Sequence, residues 1–213
     1  SNATRDDLGC FYGTPADKIR VVYPGRQEDL RRVEEPTKIQ DVLRRLGIER
    51  DYILYVGTLQ PRKNLARLVE AYARLLAGWE EAEEPPLLVL AGGRGWLSQP
   101  IFDAIEAHGL GERVRLPGYV ADADLPALYS GARLFTFPSL YEGFGFPILE
   151  ALACDLPVIC SSTSSLPEVA GKFKDLRLAR GLDPARHFAQ RKQITAVDAK
   201  QPLVLADIAS SRF

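Results

Sequence analysis

The sequence predicts an α/β fold, a Rossmann-like doubly wound parallel sheet, and three observations carry that prediction. Between Lys18 and Gly171, short runs rich in β-branched and aromatic residues alternate with longer stretches of helical period, the signature of βαβ units around a parallel sheet. Six or so strands with intervening helices fit into about 155 residues, as a doubly wound sheet requires. The chain has 213 residues, 46% of them apolar, and a chain of that size buries roughly 70% of its unfolded surface.

Ile19–Tyr23 reads as the first strand, ended by Pro24-Gly25. Pro36 to Leu46 follows as a helix, with Ile39, Val42, Leu43 and Leu46 on one face and Gly47 as its stop. Tyr52–Val56 is the next strand. Asn64 then caps a helix carrying Leu65, Leu68, Val69, Tyr72, Leu75 and Leu76, spaced by three and four as packing on a sheet requires. The alternation continues with strand Pro86–Ala91, helix Pro100–His108, strand Arg113–Leu116, helix Ala123–Gly131, strand Arg133–Phe137, helix Phe146–Cys154 and strand Leu156–Cys160. Ligands of such sheets sit outside the carboxyl ends of the strands, so the loops that follow strands are the ones to interrogate.

The ends of the chain depart from this pattern. Residues 1–3, Ser1-Asn2-Ala3 in a chain without methionine, read as a tag remnant outside the fold, and residues 4–17 as a linker remnant. The α/β domain then spans residues 18–171. Residues 172–213 form an atypical tail, charged and weakly periodic, with a short helix at 184–194 and a final apolar run at 203–208. Glu80 to Glu84 reads as an exposed acidic turn.

Composition narrows the function. Lys and Arg total 27 against 28 Asp and Glu, a net charge of -1, which removes the phosphate-neutralising excess of a general nucleic-acid binder. A specific small ligand fits better. Cys10, Cys154 and Cys160 are too few and too scattered for a disulfide framework or a zinc site, which predicts buried thiols and a cytoplasmic protein. No stretch reaches the roughly 18–20 apolar residues of a membrane span.

The strongest local signal is Pro138-Ser139-Leu140-Tyr141-Glu142-Gly143-Phe144-Gly145-Phe146-Pro147, which follows a strand and opens a helix. Gly143 and Gly145 let the backbone approach a ligand, and Pro147 suits a first helical turn, where its missing N–H is not needed. The free N–H groups and the positive helix end then favour a phosphate. Glu142 in the loop and Glu150, eight positions on, offer carboxylates for the hydroxyls of a sugar or ribose. The bland alternatives are a solvated loop for Glu142 and dipole compensation in the first turn for Glu150. The second signal, Gly57-Thr58-Leu59-Gln60-Pro61-Arg62-Lys63-Asn64, places two cations beside a helix start, where they suit an anion and not the helix dipole. A diphosphate held between the two loops explains both.

These residues, with Pro117-Gly118-Tyr119-Val120, Glu150-Ala151, Pro157-Val158-Ile159 and Pro167-Glu168-Val169-Ala170-Gly171, resemble the C-terminal half of family-four retaining glycosyltransferases of the GT-B fold. The resemblance covers roughly Thr4 to Gly171. It implies a domain that binds a nucleotide-diphosphate sugar with no obligatory metal or other cofactor, for transfer of a hexosyl group. On that reading Arg62 and Lys63 neutralise the diphosphate leaving group, and Glu142 contacts the donor sugar. Gly143, Phe144, Gly145 and Phe146 meet phosphates and sugar, Gly57 and Thr58 line the first loop, Glu150 holds the ribose, and Gly118, Tyr119 and Val120 flank the base. The acceptor, a sugar or glycolipid, is expected on an N-terminal domain absent from this chain. That leaves this chain with little or no activity alone, and the full-length parent with peripheral membrane association.

Three departures from the family pattern bear on this. Thr58 stands where many relatives carry arginine, Asp155 stands where they carry glycine at a helix end, and Lys172-Phe173-Lys174-Asp175 replaces their next strand. A non-catalytic nucleotide-binding or scaffold module is the alternative reading. A nicotinamide-dependent oxidoreductase is disfavoured because Tyr23-Pro24-Gly25 opens no glycine fingerprint. Gly92-Gly93-Arg94-Gly95 likewise lacks dinucleotide spacing and reads as a flexible loop. His108 and His187 are isolated, the former a surface residue at a helix end.

Overall fold

The computed structural model describes residues 1–25, 29–79, 84–170 and 194–197, the last by their backbone. At its centre lies β1 (Tyr52–Val56), whose first four residues are all buried. On one side it pairs with β2 (Leu87–Ala91), which pairs in turn with β3 (Val114–Gly118); on the other it pairs with β4 (Leu134–Phe137) and, beyond that, β5 (Val158–Ser161) and β6 (Ile194–Val197). All five pairings are parallel. The register aligns Val56 with Ala91 and Leu54 with Phe135.

The helices follow the predicted alternation: α2 (Pro36–Arg45), α3 (Leu65–Ala77), α4 (Gln99–Ala107), α5 (Leu125–Ser130) and α6 (Phe146–Ala153), with α1 (Asn2–Tyr12) before them and α7 (Leu166–Ala170) after. Leu65, Leu68, Val69, Tyr72 and Leu75 of α3 are buried, so the three-and-four spacing faces the sheet as expected. One core joins α3, α4, α5, α6 and α7 to every residue of β2 and most of β1 and β4, with Leu43 of α2 packed against it, while α1 buries none of its residues. Among the described residues no helix is long and apolar enough to cross a membrane.

Three expectations need correction. Ile19–Tyr23 is not a strand. Val22 is 80% exposed, and the segment pairs with neither edge strand, β3 or β6, so its β-branched character goes unused. The sixth strand is instead Ile194–Val197, inside the tail read as atypical and without a strand; the helix expected at 184–194 otherwise lies outside the described residues, as do the apolar run at 203–208 and His187. Residues 1–3 are not outside the fold either, for Ser1 caps α1 by accepting from the Thr4 N–H, and Asn2 and Ala3 form its first turn. Cys154 and Cys160 are buried as predicted, while Cys10 is exposed. Glu84 is exposed and ion-paired with Arg50; the rest of its acidic run lies outside the described residues.

Asp155 follows the α6 C-cap residue Cys154 and adopts φ 55°. Its left-handed backbone suits Asn as well as Asp, but its carboxylate adds negative charge at the negative end of the helix. Asp155→Asn should therefore stabilise the fold by about 0.3–1 kcal/mol, raising Tm by about 1–4 °C in a thermal melt. An unchanged or lower Tm contradicts this account.

Candidate functional site

The strand order reverses at β1, which is bonded to β2 on one side and to β4 on the other. The loops leaving the carboxyl ends of β1 and β4 therefore diverge over a shared crevice, the usual ligand position in open α/β sheets. In the first loop, Leu59 is buried and its N–H donates to Gly93 O at 2.9 Å. Pro61–Lys63 then forms a short 3-10 turn, with proline in the first turn, where its missing N–H is harmless. Asn64, at φ 59°, redirects the chain into α3. Its side chain does not cap the helix as predicted; Nδ2 donates to Pro138 O in the facing loop at 3.2 Å. The Leu140 N–H donates to Arg62 O at 2.9 Å, so two bonds stitch the loops together.

Arg62, Lys63 and Glu142 come together as one ion-paired cluster, a pairing the sequence did not predict. Lys63 Nζ lies 2.6 Å from Glu142 Oε1, and an Arg62 guanidinium nitrogen lies 2.7 Å from Oε2. Lys63 is only 8% exposed and Glu142 7%, and the Lys63 ammonium also sits 4.9 Å from the Phe137 ring centre, a favourable placement for a desolvated cation. Burial pushes the Glu142 carboxyl upward, but hydrogen bonds from Lys63 and Arg62 outweigh it and hold the group below the ordinary 4.5. Two cations on one carboxylate leave one net positive charge at the crevice. Arg62 also donates to Tyr141 O, which locks the loop from its other end.

The loop after Glu142 is pinned from behind. Ser164 Oγ accepts from the Glu142 N–H at 2.9 Å, and the Ser165 hydroxyl lies 2.8 Å from Glu142 O and 2.6 Å from Phe144 O. Thr163 Oγ1 donates to Leu140 O at 3.1 Å. Gly145, the N-cap of α6, has φ 124°, and a Cβ there would stand 2.9 Å from Leu166 Cδ2, so packing alone explains that glycine. Gly143 is different: it lies outside the left-handed region, and a Cβ there would meet nothing within 4 Å. The fold has no need of glycine at this exposed position beside the ion pairs. Phe144 and Phe146 stack edge to face at 5.2 Å, with Phe146 exposed.

The other predicted residues are spread along the same end of the sheet. Gly57 (φ 146°) and exposed Thr58 leave β1. Gly118 ends β3, two strands from β1; Tyr119 beside it is 76% exposed, whereas Val120 is 6% exposed. Only the backbone of Val120 is therefore free to meet a base. Glu150 is the fifth residue of α6, not part of its first turn, and its Oε2 accepts from the Tyr129 hydroxyl of α5 at 2.7 Å. Burial raises its carboxyl above the ordinary value, partly offset by that bond. Gly92 to Gly95 is not a loose loop: Leu59 N–H donates to Gly93 O, Gly95 N–H donates to Leu59 O, and Arg94 stacks on Phe102 at 4.1 Å.

Sequence reasoning missed Ser164 and Ser165, the supports of the Glu142 loop, and Tyr129, the partner of Glu150. The run Ser161-Ser162-Thr163-Ser164-Ser165 after a strand was a usable signal, since hydroxyls there are well placed to bond neighbouring loops. Among the described residues no three His, Cys, Asp or Glu side chains gather as a metal-binding group.

Residues 40–185 match the family of glycosyl transferases group 1. The O-antigen chain mannosyltransferase B of Escherichia coli is 40% identical over 172 residues, covering 80% of this chain and 44% of that protein. Among solved structures, Anabaena HepE in complex with UDP and glucose superposes with a TM-score of 0.71 at 22% identity, covering 97% of this chain and 51% of that one. The C-terminal domain of a glycosyl transferase group 1 family protein from Francisella tularensis gives a TM-score of 0.58 at 19% identity, with 86% of this chain and 85% of that one covered. The chain thus spans about half the length of its full-length relatives and most of a separately crystallised C-terminal domain.

Proposed function

Since the chain belongs to the glycosyl transferases of group 1, we propose that it is the donor-binding half of a retaining enzyme that moves a hexosyl group from a nucleotide-diphosphate sugar to an acceptor. The acceptor, a sugar or glycolipid, would be held by a preceding domain. The observation that carries this is the net positive cluster of buried Lys63 and Glu142 with half-exposed Arg62, in the crevice beside Gly143. A diphosphate leaving group carries away the electron pair of the broken bond to the sugar, and fixed cations stabilise that charge as it develops. Arg62 and Lys63 occupy that role; Glu142 addresses the sugar once the diphosphate takes over its cations. Glu150, oriented by Tyr129, addresses the ribose, and Tyr119 with the Gly118 and Val120 backbones the base. Three unpaired cysteines suit action in the reducing cytoplasm.

Thermal denaturation with UDP, GDP, ADP and their hexose conjugates tests the reading. A ligand at 100 times its dissociation constant stabilises the fold by about 2.7 kcal/mol, which raises Tm by about 5–10 °C for a chain of this size. A shift selective for one base supports the proposal. A cooperative melt that no nucleotide moves replaces it with the scaffold reading.

Gly143→Ala separates ligand approach from folding. The unliganded Tm should stay within the equivalent of about 0.5 kcal/mol, because the new methyl meets nothing, while the affinity for the stabilising nucleotide sugar falls. Unchanged affinity by calorimetry would remove Gly143 from the donor site.

A further inference from the structure

In this structure Glu142 occupies the cations that a diphosphate would need. Its Oε1 lies 2.6 Å from Lys63 Nζ and its Oε2 lies 2.7 Å from an Arg62 guanidinium nitrogen, so each carboxylate oxygen holds one cation. Burial pushes the carboxyl up, yet bonds from Lys63 and Arg62 hold it below 4.5, so it is charged at neutral pH.

Neither side of this pairing has room to retire. The Glu142 N–H donates to Ser164 Oγ at 2.9 Å and the Glu142 carbonyl accepts from the Ser165 hydroxyl at 2.8 Å, which pins the backbone that carries the carboxylate. The Lys63 ammonium rests 4.9 Å from the Phe137 ring centre, and its loop is tied to the Glu142 loop by Leu140 N–H to Arg62 O at 2.9 Å. A diphosphate that takes the cations therefore leaves a carboxylate, 7% exposed, close beside it.

What that carboxylate meets next depends on the ligand. A sugar-linked diphosphate brings hydroxyl donors, which an ionised carboxylate, an acceptor only, is able to use. A bare nucleoside diphosphate brings no sugar hydroxyls to this position, and its terminal phosphate, with a second pKa of about 6, adds roughly one negative charge at neutral pH. Glu142 is then a buried charge short of partners beside a like charge, which opposes binding. An unpaired charge set against one of two ligands is a source of discrimination between them.

We infer that Glu142 is a specificity-determining residue that competes with the diphosphate for Lys63 and Arg62, so that the site favours the nucleotide sugar over the bare nucleoside diphosphate and releases the latter after transfer. The inference rests on the donor-site reading for the identity of its ligand. Its mark is a gain of binding in a variant that lacks the competing charge, which a merely structural role of Glu142 does not produce.

Dissociation constants of UDP, UDP-glucose, GDP and GDP-mannose are measured by calorimetry for the parent chain, Glu142→Gln and Glu142→Asp. For the base that the parent binds, Glu142→Gln should bind the bare diphosphate at least about tenfold more tightly, the worth of one modest electrostatic contact, while the affinity for the sugar conjugate stays level or falls. Glu142→Asp keeps the charge with a shorter reach and should fall between the two. Equal loss for both ligands, or an unchanged ratio of the two constants, overturns the inference. Should Glu142→Gln fail to melt cooperatively, Glu142→Asp decides, and diphosphate affinity no higher than the parent's overturns the inference. A parent that binds none of the four nucleotides counts against the donor-site reading. Inorganic pyrophosphate then decides the competition, since Glu142→Gln frees both cations and should bind it at least about tenfold more tightly than the parent; no gain overturns the inference.

Discussion

Lys63→Ala is expected to reduce sugar transfer by the intact enzyme by about 10²–10³-fold, the range found when one preorganised charge-stabilising donor is removed from an active site. The ammonium is 8% exposed and 2.6 Å from a carboxylate that is itself 7% exposed, so no water-filled gap screens it. Its loss acts in two ways. On the proposed role, a leaving diphosphate would meet one cation fewer, and Glu142 keeps only the half-exposed Arg62 as an ionic partner. A buried carboxylate stripped of a charged partner destabilises the fold, here by about 1–3 kcal/mol.

The pH dependence follows in sign. In the parent, Glu142 is held below 4.5, so its contribution to stability is complete above that value and is lost as pH falls through the lower folded value. In Lys63→Ala burial gains weight and the carboxyl rises toward its ordinary value, so the stability Glu142 contributes at neutral pH shrinks and the acid loss that it causes becomes shallower. Steady-state transfer assays and urea titrations across the acid range check both halves. Transfer by Lys63→Ala within a factor of about ten of the parent would remove Lys63 from leaving-group stabilisation, because a fixed cation in that role is worth far more.

Gly92→Ala is expected to destabilise the chain by at least about 3 kcal/mol, lowering Tm by about 6–12 °C. Gly92 has φ 147°, a conformation that side-chain-bearing residues rarely adopt, and a Cβ there would stand 2.0 Å from Gly57 O and 2.6 Å from the Gly57 carbonyl carbon. Backbone cannot swing aside like a flexible side chain. The ends of β1, β2 and β3 are also tied there, by Gly57 N–H to Ala91 O at 2.9 Å and Gly92 N–H to Gly118 O at 2.7 Å. The shift needed to admit a methyl therefore spreads into the loop that carries Arg62 and Lys63. Gly93→Ala is the control, since a Cβ at Gly93 meets nothing within 4 Å, and its cost should stay near that of an ordinary surface change, about 0.5 kcal/mol. Equal melting temperatures for Gly92→Ala and the parent would contradict the close approach of these two loops.

Strand and helix identity were written in local pattern. Tyr52–Val56, Leu87–Ala91 and Leu134–Phe137 are apolar runs that only a sheet buried on both faces can hold, and the spacing of Leu65, Leu68, Val69, Tyr72 and Leu75 admits one helical face. The position of the glycine loop, between β4 and α6 at the carboxyl end of the sheet, was equally legible, because glycines and a first-turn proline mark a strand-to-helix turn. Partner choice was not legible. Ile19–Tyr23 has strand-like residues and no strand, since a β-run becomes a strand only when a neighbouring edge accepts its hydrogen bonds, and neither β3 nor β6 pairs with it. Asn64 has a cap residue's chemistry but spends its amide on Pro138, whose carbonyl arrives from 74 positions away. Sequence could name Arg62, Lys63 and Glu142 as charges; only the reversal of strand order at β1 made them one cluster, by laying the β1 and β4 loops side by side so that a desolvated carboxylate needed both cations.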